Sequence, residues 1–218
     1  MITIASNKDL ETDSRLTCSL IEAGVHKRGL LIDCGSNLGQ GFDQFSQHYP
    51  PTHFDYLLVE PNPFCVRILL QKYRGFEGKI RILSEAAGTS FGEVKFYGLQ
   101  ESGNLFSEGG SIVSDHNRKS YKASDSDALT VKQFRFANLL LVERPKYDVV
   151  IVKMDIEGAE YSVLEDLIQS DLHKCIGIIY VEFHSVYMKS PENAIFKEKE
   201  GHLIRRLVED GVVVRLWH

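Results

Sequence analysis

Apolar runs of strand length alternate with amphipathic stretches along most of the chain. "GLLIDC" (29–34) reads as a fully buried strand, followed by an expected helix over 37–49. "FDYLLVE" (54–60) predicts a second strand that stops at an acid and "PNP". Its helix, 64–73, places Val66, Leu69, Leu70 and Tyr73 on one face. "KIRILSEAAG" (79–88) predicts a third strand, and the alternating "GEVKFYG" (92–98) a short antiparallel excursion at the sheet edge. Residues 128–143 mix a strand with a short helix, and "YDVVIVKMD" (147–155) is the clearest buried strand. A helix over 160–170 follows, then a strand over 175–184. A helix over 191–211 opens on Pro and closes on Gly, and "VVVRLWH" ends the pattern as a strand. Such alternation predicts an α/β fold with a mostly parallel sheet covered on both faces.

Residues 29–218 read as one domain preceded by an N-terminal extension, 1–28. The stretch 99–125 breaks the pattern, being rich in Ser, Gly, Asn and Asp. A loop of that length inside a compact domain is expected to be a substrate loop or lid. Composition narrows the function classes. A net charge of −5 gives no electrostatic case for a nucleic-acid partner. No apolar run approaches the ~20 residues that span a membrane, so no membrane association is expected. Cys18, Cys34, Cys65 and Cys175 form no CxxC pair, which argues against a zinc site or a disulfide framework and suits a reducing compartment. The N-terminal residues lack a signal-peptide pattern, and the cytoplasm is the expected location. Nothing in the sequence indicates an oligomeric state.

The turn after the first strand holds the first candidate chemistry. Counted from Gly35, a dinucleotide fingerprint needs glycines where Asn37 and Gln40 stand, and GK[ST] is absent. What fits is Asp-x-Gly-x-x-x-Gly, "DCGSNLG" (33–39). That pattern suits S-adenosylmethionine, which carries an amino-acid tail and no phosphate. Gly35 and Gly39 let the backbone approach a ligand closely. Asp33 can accept from its ammonium group, directly or through water, and Glu60 from both ribose hydroxyls. The turn at 84–87 offers an adenine a polar contact and an apolar wall. Glu60 also reads simply as a solvated strand end. Gly41 is expected to serve helix packing, with no cofactor contact.

"VKMDIEGAE" (152–160) is the second unusual string. A buried strand delivers Lys153 and Asp155 on one side of the pleat, with Glu157 and Glu160 close behind. Mutual pairing of Lys153 with a carboxylate is one reading, because unpaired charge at a buried strand end is costly. An active-site cluster is the other.

"LIDCGSNLG", "VEPNP", "AAGTSFGEVKFYG" and above all "VKMDIEGAEYSVLEDL" resemble the FkbM family of S-adenosylmethionine-dependent methyltransferases, over roughly residues 28–184. The resemblance implies a class I methyltransferase fold, a Rossmann-like three-layer αβα sandwich. It also implies O-methylation of a hydroxyl on a sugar or small metabolite. Carried over by position, Asp33, Gly35, Ser36, Asn37 and Gly39 line the methionine end of the cofactor. Glu60, with Pro61 and Asn62, holds the ribose, and Glu85 with Ala86 borders the adenine. Lys153, Asp155, Glu157 and Glu160 match the family signature. After the last helix the sequence offers one strand where family members often have two. The closing hairpin is therefore expected to be reduced, or compensated by the N-terminal 28 residues.

Asp155 and Glu157 are the first candidates for general base, with His184 second; a hydrogen-bonded structural role for His184 stands beside catalysis. Asp155, which also borders the cofactor, Glu157, Glu182 and His184 stand at neighbouring strand ends. A divalent metal there is an alternative that spacing alone does not favour, so no metal ligands are assigned. The rival functions are a non-catalytic adenosylmethionine-binding protein and, less favoured by the glycine spacing, an NAD-dependent oxidoreductase.

Overall fold

A computed structural model describes residues 4–76, 79–189 and 192–217. In chain order come α1 (Asn7–Glu22), β1 (Gly29–Cys34), α2 (Gln40–His48), β2 (Phe54–Val59), α3 (Pro63–Lys72) and β3 (Ile80–Leu83). The short strands β4 (Ala86–Gly88), β5 (Gly92–Phe96) and β6 (Leu129–Arg135) follow. The chain then continues through α4 (Phe136–Glu143), β7 (Val149–Met154), α5 (Glu160–Gln169), β8 (Ile178–Val181), α6 (Glu192–Glu209) and β9 (Val213–Leu216). The central sheet has six strands in the order β3-β2-β1-β7-β8-β9, each pair parallel.

Strand alternation sorts the core into two layers. Leu30, Ile32 and Cys34 of β1, with Val150, Val152 and Met154 of β7, face Leu140 (α4), Leu164 (α5) and Leu207 (α6). Leu31 and Ile151 face the other way, onto Leu10 (α1), Phe42 and Phe45 (α2) and Leu69 (α3). All six residues of β1 are buried, as a strand covered on both faces requires. Each fully buried Leu or Ile contributes about 1.5–3 kcal/mol. The result is the three-layer αβα sandwich expected of the pattern.

Several boundaries differ from the sequence expectation. The helix expected from 37 starts at Gln40, because Asn37 (φ 44°) and Gly39 (φ 86°) adopt left-handed backbone that no α-helix accommodates. The single strand expected over 79–88 is two. The chain bends at Ser84–Glu85, and β4 leaves the main sheet to pair with β6. The excursion at β5 therefore lies not at the edge of the main sheet but in a second sheet, order β4-β6-β5, antiparallel to β6. β8 is shorter than 175–184, since a 3-10 turn occupies Leu172–Cys175 and residues 182–184 leave the sheet. Of the helix expected over 191–211, Pro191 lies outside the described residues, as does His218 of the closing strand.

The edge at β9 is finished by the N-terminal residues. Ile4 bridges to Leu216 in parallel, and Ala5 N donates to Leu216 O at 2.6 Å. Ser6 and Asp9 form a reciprocal capping box that starts α1. Asp13, buried on α1, accepts from Arg215 of β9 at 2.8 and 2.7 Å and from the Tyr180 hydroxyl of β8 at 3.0 Å. The first helix is thus tied to the far edge of the sheet by charge as well as by packing.

Candidate active site

Strand order reverses between β1 and β7, so the connections after these two strands part in opposite directions and leave a crevice at their carboxyl ends. A cavity of about 410 Å³ opens there. That volume is in the range of small-molecule sites, roughly 300–1,000 Å³. Gly35, Ser36 and Asn37 from the turn after β1 and Glu60 and Pro61 after β2 form one wall, with Ala86 and Ala87 of β4. Lys153, Asp155 and Glu157 at the end of β7, with Glu182 beyond β8, form the other. The polar loop 99–125 closes over both, contributing Ser107, Glu108, Ile112 and Arg118 among others.

The first wall is built on tight backbone. Gly35 has φ 79°, and a Cβ there would lie 1.7 Å from the Asp155 carbonyl oxygen. Two strand ends can meet this closely only at glycine. Glu60 is 4% exposed, and its two oxygens accept from the backbone N–H groups of Asn37 (2.7 Å) and Asn62 (2.8 Å). One carboxylate therefore holds both binding turns in place and still has lone pairs to offer. Burial pushes its pKa up to about 7, against the two N–H donors that favour the charge. Asn62 uses its side chain twice, capping α3 through Phe64 N (3.0 Å) and donating to Leu105 O of the loop (2.8 Å).

Between the walls lies a charge triad. Lys153 Nζ sits 3.4 Å from Asp33 Oδ1, 3.4 Å from Asp155 Oδ2 and 3.3 Å from the Gly35 carbonyl oxygen. Burial pulls the ammonium's pKa down, but Asp33 and Asp155 more than offset this and hold it above its ordinary value. Asp33 is 2% exposed, and neither of its oxygens has a hydrogen-bond partner among the described residues. Its carboxylate, paired with Lys153 just behind the cavity wall, keeps acceptor capacity that a ligand cation could use through a water.

The second wall is denser in ionisable groups. His184, 1% exposed, turns Nδ1 to Glu160 Oε1 (3.2 Å) and Nε2 toward Glu157 Oε2 (3.4 Å) and Asp155 Oδ1 (3.5 Å). Burial alone would depress its pKa; Glu160, Glu157 and Asp155 raise it to about 9. Glu157 has φ 53°, a left-handed conformation rare for a long side chain and typical of functional sites. Arg118 holds its Oε1 at 2.5 Å and stacks over the Tyr187 ring. His116 Nε2 lies 3.0 Å from its Oε2.

The structure brings Gly35, Ser36, Asn37, Glu60, Pro61, Ala86, Lys153, Asp155, Glu157 and Glu182, all singled out in the sequence, to the cavity wall. Asp33, Gly39, Asn62 and His184 stand just behind it as supports. Glu85 is half-buried at the bend before β4 and does not line the cavity. Gly41 also borders the cavity, and a Cβ there would come 3.1 Å from Lys153 Cε, so its missing side chain makes room for the lysine as well as for packing. His116, Arg118 and Trp217 were missed. The first two sit in an aperiodic loop, and their one signal was the clustering of basic and aromatic residues in "HNRKSYK".

Fold and site together define an α/β domain with a small-molecule-sized cavity at the switch point of its parallel sheet, faced by a cluster of acids and histidines. The methyltransferase FkbM domain matches residues 33–209 of the chain. The protein belongs to the FkbM methyltransferase family. A solved structure of methyltransferase FkbM from Methylobacillus flagellatus KT aligns at 17% identity with a TM-score of 0.41, covering 66% of this chain. The chain spans 30% of that protein's length. Among curated proteins no sequence matches. No helix among the described residues is long and apolar enough to cross a membrane.

Proposed function

We propose that the protein is an S-adenosylmethionine-dependent O-methyltransferase acting on a hydroxyl of a sugar or small metabolite. The observation that carries this reading is the pairing of Glu60 and Asp33 across the glycine turn at the switch point. Glu60 presents a carboxylate already fixed by two backbone donors, and Asp33 two buried oxygens without hydrogen bonds. A nucleoside with vicinal hydroxyls and a cationic amino-acid tail matches both. In this reading Glu60 accepts from the ribose, and Asp33 takes the ammonium group while Lys153 balances the remaining charge. Asn37 and Ser36 flank the tail, and Ala86 and Ala87 supply the apolar wall for the adenine. When bound, the cofactor supplies an electrophilic methyl group on a sulfonium.

The protein's own part is to hold the acceptor oxygen in line and to receive its proton. Asp155 and Glu157 face the cavity at the right end for this, and Arg118 keeps Glu157 oriented. Loop 99–125 shapes the acceptor side, which supports its reading as a substrate loop. The test is calorimetry with S-adenosylmethionine on the wild type and on Asp33→Ala and Glu60→Ala. Wild-type binding that weakens at least tenfold in both variants supports the assignment. Absent binding, or unchanged affinity in both, sinks it. The acceptor is then sought by incubating metabolite and carbohydrate pools with methyl-labelled cofactor.

A further inference from the structure

We propose that Asp155, Glu157 and His184 form a divalent-cation site at the acceptor end of the cavity, best matched by Mn²⁺. Their ligand atoms, one from each residue, lie within 4.8 Å of one another. Glu182 Oε1 stands 3.8 Å from the same His184 Nε2.

The hydrogen-bond geometry leaves inward-facing ligand atoms without partners among the described residues. Glu160 accepts from three directions: Gly158 N at 2.8 Å, His184 N at 3.0 Å and His184 Nδ1 at 3.2 Å. Accepting from Nδ1, Glu160 commits that nitrogen and leaves Nε2 as the ring atom available to a cation. Nε2 faces two carboxylate oxygens, and neither it nor Glu157 Oε2 has a hydrogen-bond partner among the described residues. A second imidazole repeats the arrangement. The Tyr121 hydroxyl donates to Gly109 O (2.7 Å) and so accepts from His116 Nδ1 (2.8 Å), leaving His116 Nε2 facing Glu157 Oε2.

Distances separate a shared proton from a shared metal. A proton between imidazole and carboxylate would draw one pair to about 2.7–2.9 Å. Instead His184 Nε2 stands 3.4 and 3.5 Å from the two oxygens. Ligand atoms placed about 2.1–2.2 Å from one ion are separated by roughly 3.0–3.6 Å at octahedral or tetrahedral angles. The supports also suit a metal. Histidine ligands commonly donate their other nitrogen to a carboxylate, as His184 does to Glu160. Arg118 occupies Oε1 of Glu157 and leaves Oε2 to point inward. One imidazole with carboxylates favours Mn²⁺ over Mg²⁺ or Ca²⁺, which prefer oxygen alone.

What the cation would be used for rests on the methyltransferase reading: an acceptor hydroxyl that ligates it gives up its proton more readily. Its presence does not. Full-length protein stripped with chelator and titrated with Mn²⁺ is expected to silence the free-ion paramagnetic resonance signal at one ion per chain. Pulsed spectra of the bound ion should show nitrogen coupling that disappears in His184→Gln. Asp155→Asn and Glu157→Gln should each weaken Mn²⁺ at least tenfold. Glu160→Gln, which leaves the ligands in place, should weaken it by about 10–100-fold. No binding by the wild type at millimolar Mn²⁺, or bound Mn²⁺ without nitrogen coupling, overturns the site whatever the variants do. Cofactor calorimetry on the stripped protein keeps the two readings apart. Cofactor bound without Mn²⁺ binding refutes the metal alone, and Mn²⁺ bound without cofactor binding refutes the methyltransferase assignment alone.

Discussion

With Glu60 holding the ribose, as proposed above, cofactor binding is linked to pH, and the size of the link can be worked out. In the ligand-free fold the Glu60 carboxyl titrates at about 7 because burial disfavours the charge. Only the ionised form can accept two ribose hydroxyls while also accepting from Asn37 N and Asn62 N. Binding should therefore weaken tenfold per pH unit below 7, reaching roughly 30-fold at pH 5.5. Stability runs the opposite way. The folded pKa is raised above the ordinary 4.5, so this group's contribution is fully present below 4.5 and is lost as pH rises through 7. The loss amounts to about 3 kcal/mol, and bound cofactor offsets it. Glu60→Gln removes the buried charge but turns an amide N–H₂ toward one backbone N–H, which costs about 1–3 kcal/mol. The two effects nearly cancel in the ligand-free protein at pH 8. Affinity should nonetheless fall by about 2–4 kcal/mol and lose its slope between pH 5.5 and 8. Calorimetric titrations of both proteins across that range, with urea unfolding of the ligand-free forms, measure every part of this. Wild-type affinity that stays flat while Glu60→Gln binds normally would refute the ribose role and the charge linkage together.

Three further outcomes follow from particular contacts. Gly24 and Gly35 share a left-handed backbone, at φ 74° and 79°, but a Cβ meets nothing within 4 Å at Gly24 and meets Asp155 O at 1.7 Å at Gly35. Gly24→Ala should lose about 1–2 kcal/mol in urea unfolding, from the backbone alone, and Gly35→Ala at least twice that or its soluble expression. Asp13→Ala leaves Arg215 and the Tyr180 hydroxyl without their shared acceptor. It should lower stability by about 2–4 kcal/mol, and a change under 0.5 kcal/mol would show that α1 is not integral to the sheet. Arg118→Ala frees Glu157 Oε1 and should cut turnover at least tenfold with cofactor affinity within threefold; a loss of cofactor affinity instead would put Arg118 on the wrong side of the cavity.

The fold was legible wherever one physical demand dominated. β1, β2 and β7 are buried on both faces, as short unbroken apolar runs in a parallel sheet are. Glu60 and Asp155 were legible because each ends such a run with a charge. Boundaries failed where the deciding contact was distant in sequence. Nothing local in "KIRILSEAAG" says that Ala86 will pair with Gln133 rather than extend β3. The left-handed Asn37 likewise depends on its N–H reaching Glu60, 23 residues away. Glu160 was read as a signature residue, yet its part in orienting His184 needed the loop after β8 to fold back over α5.

The same distinction explains why the two halves of the site differ in transparency. The half that the proposed function assigns to the cofactor is made by backbone geometry at the ends of adjacent strands, and backbone geometry writes itself into sequence as glycine and as acid at fixed offsets. The acceptor half is made by side chains from β7, the segment after β8 and the polar loop, meeting over Glu157. Arg118 and His116 reach that point from 39 and 41 residues earlier, through a loop with no period to betray their direction. Such a loop can exchange residues without disturbing the strands beneath it, whereas Gly35 cannot change without moving the turn. Acceptor preference should therefore be altered by substitutions at Ser107, Glu108 or Ile112, which line the cavity from the loop alone. Kinetics on such variants should change KM for the acceptor while leaving the cofactor's dissociation constant within threefold. A variant series that moved both constants together would mean that the loop closes on the cofactor, and that the division into halves is wrong.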